Sequence, residues 1–533
     1  MKVWFGLALL LAGCNVGPKY ERPAVVSPAS FKEASPAAYL GASPDTWRPA
    51  RPSDAVLKGK WWEAFGEPEL DGLEEQLDIN NQNIAQYFQS FMAARAQVAQ
   101  ARAGYFPTVG VSPSYSVVGA GSASSGGGGA VGSNGVGATG ATTGAGMTGV
   151  GTTGVGTTAT TGTGASGRPG YVTNFFSLPL DVSWEPDFWG RVKNTVLEYR
   201  FAAQVSAADL ENERLTEQAD LAAYYFELRG QDWLQDVYDR TVRADRKALE
   251  LTQALVDTGV DSPEAVAEAE VTLANAEEAS IGVATNRAIY EHAIAMLVGK
   301  PASMFSLPVK SLSTPVPPIP VGLPSQLLER RPDIAAAERT MAQANAVIGV
   351  AKAAYYPTFT LSGSVGLAST NLGTLFSLPA FVWSLGASAS ETIYDGGLRG
   401  ATVAQYVATY KADVAAYRQT VLTAFQQVED YTATLRILSQ QIGRQEIAIK
   451  AAQRYVAIAT AQYQTGIDPY LNVITAENIL LSDQQTLVTL RVSELTTAVQ
   501  LVQALGGGWD VAKLPAASKI DSKAAADQVL HTP

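Results

Sequence analysis

The sequence predicts a mixed α and β chain built twice from the same parts: a helix, two strands and a very long helical hairpin. Three observations predict it. First, the chain repeats itself. Ala101-Arg102-Ala103-Gly104-Tyr105-Phe106-Pro107-Thr108 returns as Ala351-Lys352-Ala353-Ala354-Tyr355-Tyr356-Pro357-Thr358, and Asp257-Thr258-Gly259-Val260-Asp261 returns as Gln464-Thr465-Gly466-Ile467-Asp468. A repeat of this kind governs every later assignment, because both copies must fold alike. Second, four stretches alternate with period 2, with mostly small polar residues on one face, the pattern of a strand with one apolar face. Third, two stretches of roughly 65–70 residues contain no proline, and as helices each would be ~100 Å long.

The elements follow in chain order. Lys2 opens a short basic region, Val3 to Leu11 is an apolar run, and Leu11-Ala12-Gly13-Cys14 follows. That run is shorter than the ~20 residues a spanning helix needs. It fits the core of a secretory signal over residues 1–13. It resembles a bacterial lipoprotein signal, which implies that Cys14 carries the lipid. Cys14 is the only cysteine, so no intramolecular disulfide can form. Asn15 follows it, and the same resemblance implies sorting to the outer membrane. Residues 14–67 read as an extended N-terminal segment. The first repeat spans 68–300 and opens with a helix.

The strands of the first repeat fall at about 105–118 and 171–184. Val109, Val111, Tyr115 and Val117 alternate with Gly110, Ser112, Ser114 and Ser116. Phe176, Leu178, Leu180, Val182 and Trp184 alternate with Ser177, Pro179, Asp181 and Ser183. Between them, residues 119–170 form a Gly/Ser/Thr-rich block, too poor in large apolar residues to bury a core. It reads as a disordered loop. The second repeat spans 324–508, with strands at about 357–368 and 380–394 that alternate the same way. Small residues on one face and aromatics on the other, over ~10 residues, are the mark of outer-membrane barrel strands. Four strands cannot close such a barrel, since the smallest have about eight. One chain therefore supplies one sector. Two copies would give eight strands and three would give twelve, and the alternation does not choose.

The long helices run from about Gly190 to Thr258 and from about Leu398 to Thr465. Leu422, Phe425, Val428, Tyr431, Leu435, Leu438 and Ile442 give near-heptad apolar spacing. Each helix ends at a Thr-Gly turn, where glycine tolerates the left-handed cap. Pro263 and Pro469 begin the returning helices, expected over 263–299 and 469–506. Residues 301–323 link the repeats, and 509–533 form a C-terminal tail. The hairpins are expected to project away from the barrel sector.

Composition removes several function classes. A net charge of −12 opposes nucleic acid as the main partner, because phosphate binding needs basic patches. The two histidines, His292 and His531, sit in no metal-ligand spacing, and no nucleophile elbow or phosphate-binding loop occurs. No catalytic constellation, metal site or cofactor is expected.

An ordered set of motifs carries a resemblance across nearly the whole chain. It runs from Cys14-Asn15-Val16-Gly17-Pro18-Lys19-Tyr20 through Trp61-Trp62 to Trp184-Glu185 with Asp187-Phe188-Trp189-Gly190. It continues with Arg330-Arg331-Pro332-Asp333-Ile334, Tyr394-Asp395-Gly396-Gly397 and Leu505-Gly506-Gly507-Gly508-Trp509. With these the chain resembles the TolC-like outer-membrane efflux protein family, in its NodT/OprM-type lipoprotein branch. The resemblance implies a homotrimer with a 12-stranded transmembrane β-barrel and a periplasmic α-barrel. It implies a passive exit duct for small toxic compounds, served by a periplasmic adaptor and, through it, an inner-membrane RND-type pump. A duct for protein secretion, of the type I kind, would share the fold. An adhesive lipoprotein stalk would need strands that stay out of the membrane, against their alternation.

The resemblance also implies roles for particular residues. Gly259, Val260 and Asp261, with Gly466, Ile467 and Asp468, would form the periplasmic tips that meet the adaptor. Leu471, Asn472 and Thr475 would line the constriction, with Tyr463 helping to lock it. Relatives often place aspartates where Asn472 and Thr475 stand, so an acidic ring is not expected; a ring of Leu471 would close by dewetting. Glu264, Glu268 and Glu270 would bring negative charge to the entrance.

Overall fold

The computed structural model describes residues 15–25, 27–28, 30–33, 59–120, 171–259, 262–319, 324–516 and 520. Cys14, the signal, Val260, Asp261 and nearly all of the Gly/Ser/Thr block lie outside them. The chain divides into a helical unit (1–105, 187–357 and 391–533) and a sheet unit (106–186 and 358–390).

In the helical unit the repeat returns as equal lengths. Helices α1 (Pro68–Asn80) and α2 (Gln82–Ala103) precede α3 (Arg191–Asp257) and α4 (Pro263–Leu297); α5 (Pro332–Ala353) precedes α6 (Leu398–Gln464) and α7 (Tyr470–Ala504). The helices α2 and α5 both have 22 residues, α3 and α6 both have 67, and α4 and α7 both have 35. At 1.5 Å per residue the longest pair reach ~100 Å. No described helix is long and apolar enough to cross a membrane.

The repeated motifs act as helix punctuation. Gly190 and Gly397 stand at positive φ (76° and 92°) just before α3 and α6. Asp187 accepts a bond from the Lys193 N–H (2.8 Å), and Asp395 accepts from the N–H groups of Gly397 (3.0 Å) and Arg399 (3.2 Å). These are orphan donors of a helix start, met by a carboxylate. The Arg399 side chain adds a bond at 2.6 Å, and together these hold Asp395 below the usual carboxylate range. The Arg-Pro-Asp-Ile motif works at the other end. Arg331 binds Asp333 (2.6 Å) and donates to the Ala504 carbonyl (3.0 Å), so the start of α5 caps the end of α7.

The main core joins Trp61, Trp62 and Phe65 to Leu70, Leu221, Tyr225, Phe226 and Val499. A second centres on Phe31, Ile334, Met341, Tyr417 and Val428. The heptad reading of α6 needs one correction. Phe425, Val428, Leu438 and Ile442 are buried, but Leu422 is exposed, and Val421 and Ala424 are buried beside it. The buried stripe drifts along a straight helix, because 3.6 residues per turn does not match a seven-residue period.

Glu74 of α1 is fully buried, and neither carboxyl oxygen has a hydrogen-bond partner. Burial, helped by Asp78 and Asp71, pushes its carboxyl well above the usual range. A raised carboxylate pKa favours the folded state below the unfolded value and loses that contribution as pH rises through the folded one. Glu74→Met, apolar and of similar length, is therefore expected to stabilise the protein by roughly 1–3 kcal/mol at pH 8. The gain should shrink at pH 5. Melting curves at both pH values check it; equal gains at both would show that the carboxyl is not the cause.

The sheet unit is one antiparallel sheet: β1 (Thr108–Val111) and β2 (Ser114–Ala120), then β3 (Tyr171–Trp184), β4 (Thr358–Ser369) and β5 (Phe381–Ser390). The single strand expected at 105–118 is thus two, broken at Ser112-Pro113. Pro113 has no N–H to give to the ladder. Both halves keep one register against β3, from Thr108↔Ser183 to Ala120↔Tyr171. The strand expected to 394 ends at Ser390, because Asp395 and Gly397 already belong to the cap of α6.

Candidate functional site

Two regions could carry function: the sheet face and the hairpin tips. The register lines up the apolar rows of all strands. Val111 faces Leu180, Leu180 faces Val365, and Val365 faces Trp383; Val109, Val182, Gly363 and Leu385 form the next row. The opposite face carries Ser362, Ser364, Ser384 and Ser388, with Asp181 bonded to Ser112 (2.7 Å). The apolar side chains are open on the lone chain: Trp383 is 72% and Leu385 82% exposed. Tyr115 is also exposed and packs on Phe176 at 4.8 Å. Among the described strands, β5 and the β1/β2 edge pair on one side only. An apolar face of this extent with two free edges is not a water-stable surface.

At the tips, each long helix ends in the same device. Gly466 takes φ 71°; its N–H donates to the Tyr463 carbonyl (2.9 Å), and the Ile467 N–H donates to the Gln462 carbonyl (2.9 Å). This pair of bonds is the Schellman end, which needs a left-handed residue. Gly259 repeats the glycine's part of it, with φ 74° and a bond to the Val256 carbonyl (2.9 Å). Ile467 is exposed and Asp468 is half-buried.

The expected gate residues separate. Tyr463 is buried against Ala265, Ala269, Tyr470 and Val473, and its hydroxyl bonds to Thr252 of α3 (3.1 Å). It thus joins the second hairpin to the first. Leu471 and Thr475 are exposed, four residues apart on one helix face, and Asn472 is half-buried. Glu264 and Glu270 are exposed and Glu268 is half-buried. The sequence reading missed Thr252 and Tyr470. Tyr470 had a weak signal, an aromatic directly after Pro469; Thr252, mid-helix, had none. Further up the hairpins, burial pushes Asp245 up to about 6. Burial, with the charge of Asp245, pushes Glu477 up to about 7. Burial, with both carboxylates, also raises the Tyr470 phenol. Among the described residues no group of three His, Cys, Asp or Glu could hold a metal ion.

Comparison with known proteins decides the family. The family model of the outer membrane efflux protein matches residues 150–300 and 323–507. The chain belongs to the outer membrane efflux protein family. It is 28% identical over 506 residues to the probable efflux pump outer membrane protein TtgC of Pseudomonas putida, covering 94% of each chain. It is 26% identical over 519 residues to the cation efflux system protein CusC of Escherichia coli, covering 95% of this chain and 98% of CusC. The outer-membrane channel OprN shares the fold, with a TM-score of 0.77 at 24% identity, over 93% of this chain and 100% of OprN. The protein is thus an outer-membrane channel of efflux, in a Gram-negative bacterium. The sheet face then has its solvent, the bilayer. An arginine on a lipid-facing strand position costs about 2–4 kcal/mol at mid-membrane. Leu385→Arg is expected to lower the folded, membrane-inserted fraction sharply, while Ser384→Arg on the opposite face should not. Outer-membrane fractionation of the two variants tests this; equal losses would remove the lipid assignment.

Proposed function

We propose that three chains assemble, each supplying one four-stranded sector to a 12-stranded barrel, and that their hairpins form a periplasmic helical tunnel. The chain works as a passive exit duct for small toxic compounds and does no chemistry of its own. A periplasmic adaptor meets the tips, Gly259, Val260 and Asp261 with Gly466, Ile467 and Asp468. An inner-membrane RND-type pump supplies the energy through that adaptor. Leu471, with Asn472 and Thr475, forms the constriction, and Tyr463 holds the hairpins closed. Cys14 carries lipid that helps target the chain, since a lone acyl chain anchors weakly and the barrel supplies the lasting insertion.

One observation supports this reading most. The sheet is antiparallel, apolar on one face and free at both edges. In hydrocarbon every backbone N–H and C=O must be satisfied, so such a sheet is stable only when other copies close it. The constriction is supported by the exposure of Leu471 on the lone chain, which leaves it free to meet its counterparts.

The test joins mass in detergent to single-channel conductance in planar bilayers, using full-length protein. The expected result is the mass of three chains, with a small, flickering conductance that rises when Tyr463 and Leu471 are both replaced by alanine. A monomer that never conducts, even with the tips truncated, would sink the duct.

A further inference from the structure

Between the two hairpins of the helical unit lies a cavity of about 170 Å³. Three helices wall it. Thr241 and Asp245 come from α3, Thr272 and Asn275 from α4, and Glu477 and Asn478 from α7. No lysine or arginine lines it. Asp245 is only 2% exposed, and its Oδ1 accepts no hydrogen bond. Oε2 of Glu477 is likewise buried without a partner. Two carboxylates therefore share a pocket with nothing positive among its lining to face them, an arrangement that, above the pH at which they take up protons, costs free energy unless a cation enters.

Beside the apolar Ala276, Ala279 and Leu481, the polar part of the remaining lining is suited to one. The Thr241 hydroxyl donates its proton to the Val237 carbonyl (3.1 Å), and the Thr272 hydroxyl donates to the Glu268 carbonyl (2.9 Å). Each threonine oxygen is left with lone pairs only. Asn275 and Asn478 are exposed and add amide oxygens beside solvent. The lining thus offers two carboxylates and up to four neutral oxygens, with no sulfur and no imidazole. Such a set selects a hard cation. Calcium accepts six to eight oxygens in flexible geometry, whereas magnesium demands a near-ideal octahedron and gives up water reluctantly. The pocket is also several times the ~30 Å³ that one water occupies, so the ion would keep part of its shell.

We propose that this cavity binds a partly hydrated calcium ion, which ties α3 and α4 of the first hairpin to α7 of the second. Two carboxylates make a weak site, with a dissociation constant of about 0.1–1 mM, in the range of extracellular calcium modules. The site lies on the second and third turns beyond Tyr470, so the ion braces the seam that Tyr463 and Thr252 close at the tip. It stands independently of the duct reading, because it needs only the packing of the two hairpins.

The test uses full-length protein in detergent, freed of divalent ions by chelation, at pH 8 and constant ionic strength. Melting is followed by helical circular dichroism as CaCl2 is raised. The expected result is a saturable rise in melting temperature, half complete at about 0.1–1 mM, with a smaller response to MgCl2. The double variant Asp245→Asn with Glu477→Gln should fold and lose the response. Terbium emission, sensitised by Tyr238 at the cavity wall, gives a second reading and should vanish in the double variant. If that variant does not fold, Glu477→Gln alone serves, because Glu477 is only half-buried. No calcium response, an equal response to magnesium, or a response that survives the substitutions would overturn the site. Conductance without a calcium response would leave the duct standing and remove the ion.

Discussion

Asp232→Ala is expected to destabilise the helical unit by about 3 kcal/mol, the low end of the cost of breaking a buried ion pair, because its cationic partners keep other carboxylates. Asp232 is buried beneath the linker after the first hairpin. It accepts from Arg229 (2.7 Å), from Arg287 (2.8 Å) and from the Lys310 N–H (3.0 Å). Arg229 is itself buried, pairs also with Glu69, donates to the Pro308 carbonyl (2.7 Å) and lies over the Tyr225 ring at 5.0 Å. Arg287 reaches the Leu307 carbonyl (2.8 Å) and Glu291 (3.2 Å). Removing the one carboxylate takes a charged partner from each of two guanidinium groups, which keep only Glu69 and Glu291, and takes the acceptor from the Lys310 N–H. A surface pair is the control. Arg246 and Glu277 meet at 2.8 Å but are both about half exposed, and Arg246→Ala should cost no more than ~1 kcal/mol. Thermal melting of the two variants side by side checks the difference. Similar small losses would mean that the network adds little beyond packing.

The second large effect is on opening. If the Tyr463 hydroxyl bond to Thr252 exists only while the hairpins are closed, Tyr463→Phe removes about 1 kcal/mol from the closed state alone. That shifts the open-to-closed ratio roughly fivefold. Thr252→Val removes the same bond from the other side and should give the same shift. The double variant should then exceed neither by much, since both changes delete one interaction. Tyr463→Ala also empties a packed cluster and should open the channel further. Single-channel open probability reads all four proteins. Additive effects of the two single variants would show that the residues act separately, and the bond would lose its role in gating.

Much of this was legible in the chain because it is local. Gly259 and Gly466 announce their turns through a conformation that other residues adopt at a cost. Asp395-Gly396-Gly397 announces a helix start, because a carboxylate there meets free N–H groups. The alternation of Val109 through Trp383 announced one apolar face, and the register brought those rows together. The break at Ser112-Pro113 was visible in the proline itself. It leaves the pattern uninterrupted, because the alternation resumes in step on the far side, as an unbroken register requires.

The pairing of faces was not legible. Thr252 meets Tyr463, and Asp245 shares a cavity with Glu477, across more than two hundred residues of chain. In helices this long and this rich in alanine, the period shows that faces exist but not which of them meet. Leu422 shows the limit: it fits the heptad, yet the stripe drifts past it and leaves it exposed. The Arg229–Asp232 pair, three residues apart, has the spacing of an ordinary solvated pair on a helix surface. Only the linker at 305–310 laid over it makes it a buried ion cluster. The sequence by itself determined the repeat, the lengths of the helices, their caps and the two faces of the sheet, since each depends on neighbouring residues. Which carboxylates are buried, which residue Tyr463 meets and where a cavity remains were decided by tertiary packing, because desolvation depends on everything that covers a group.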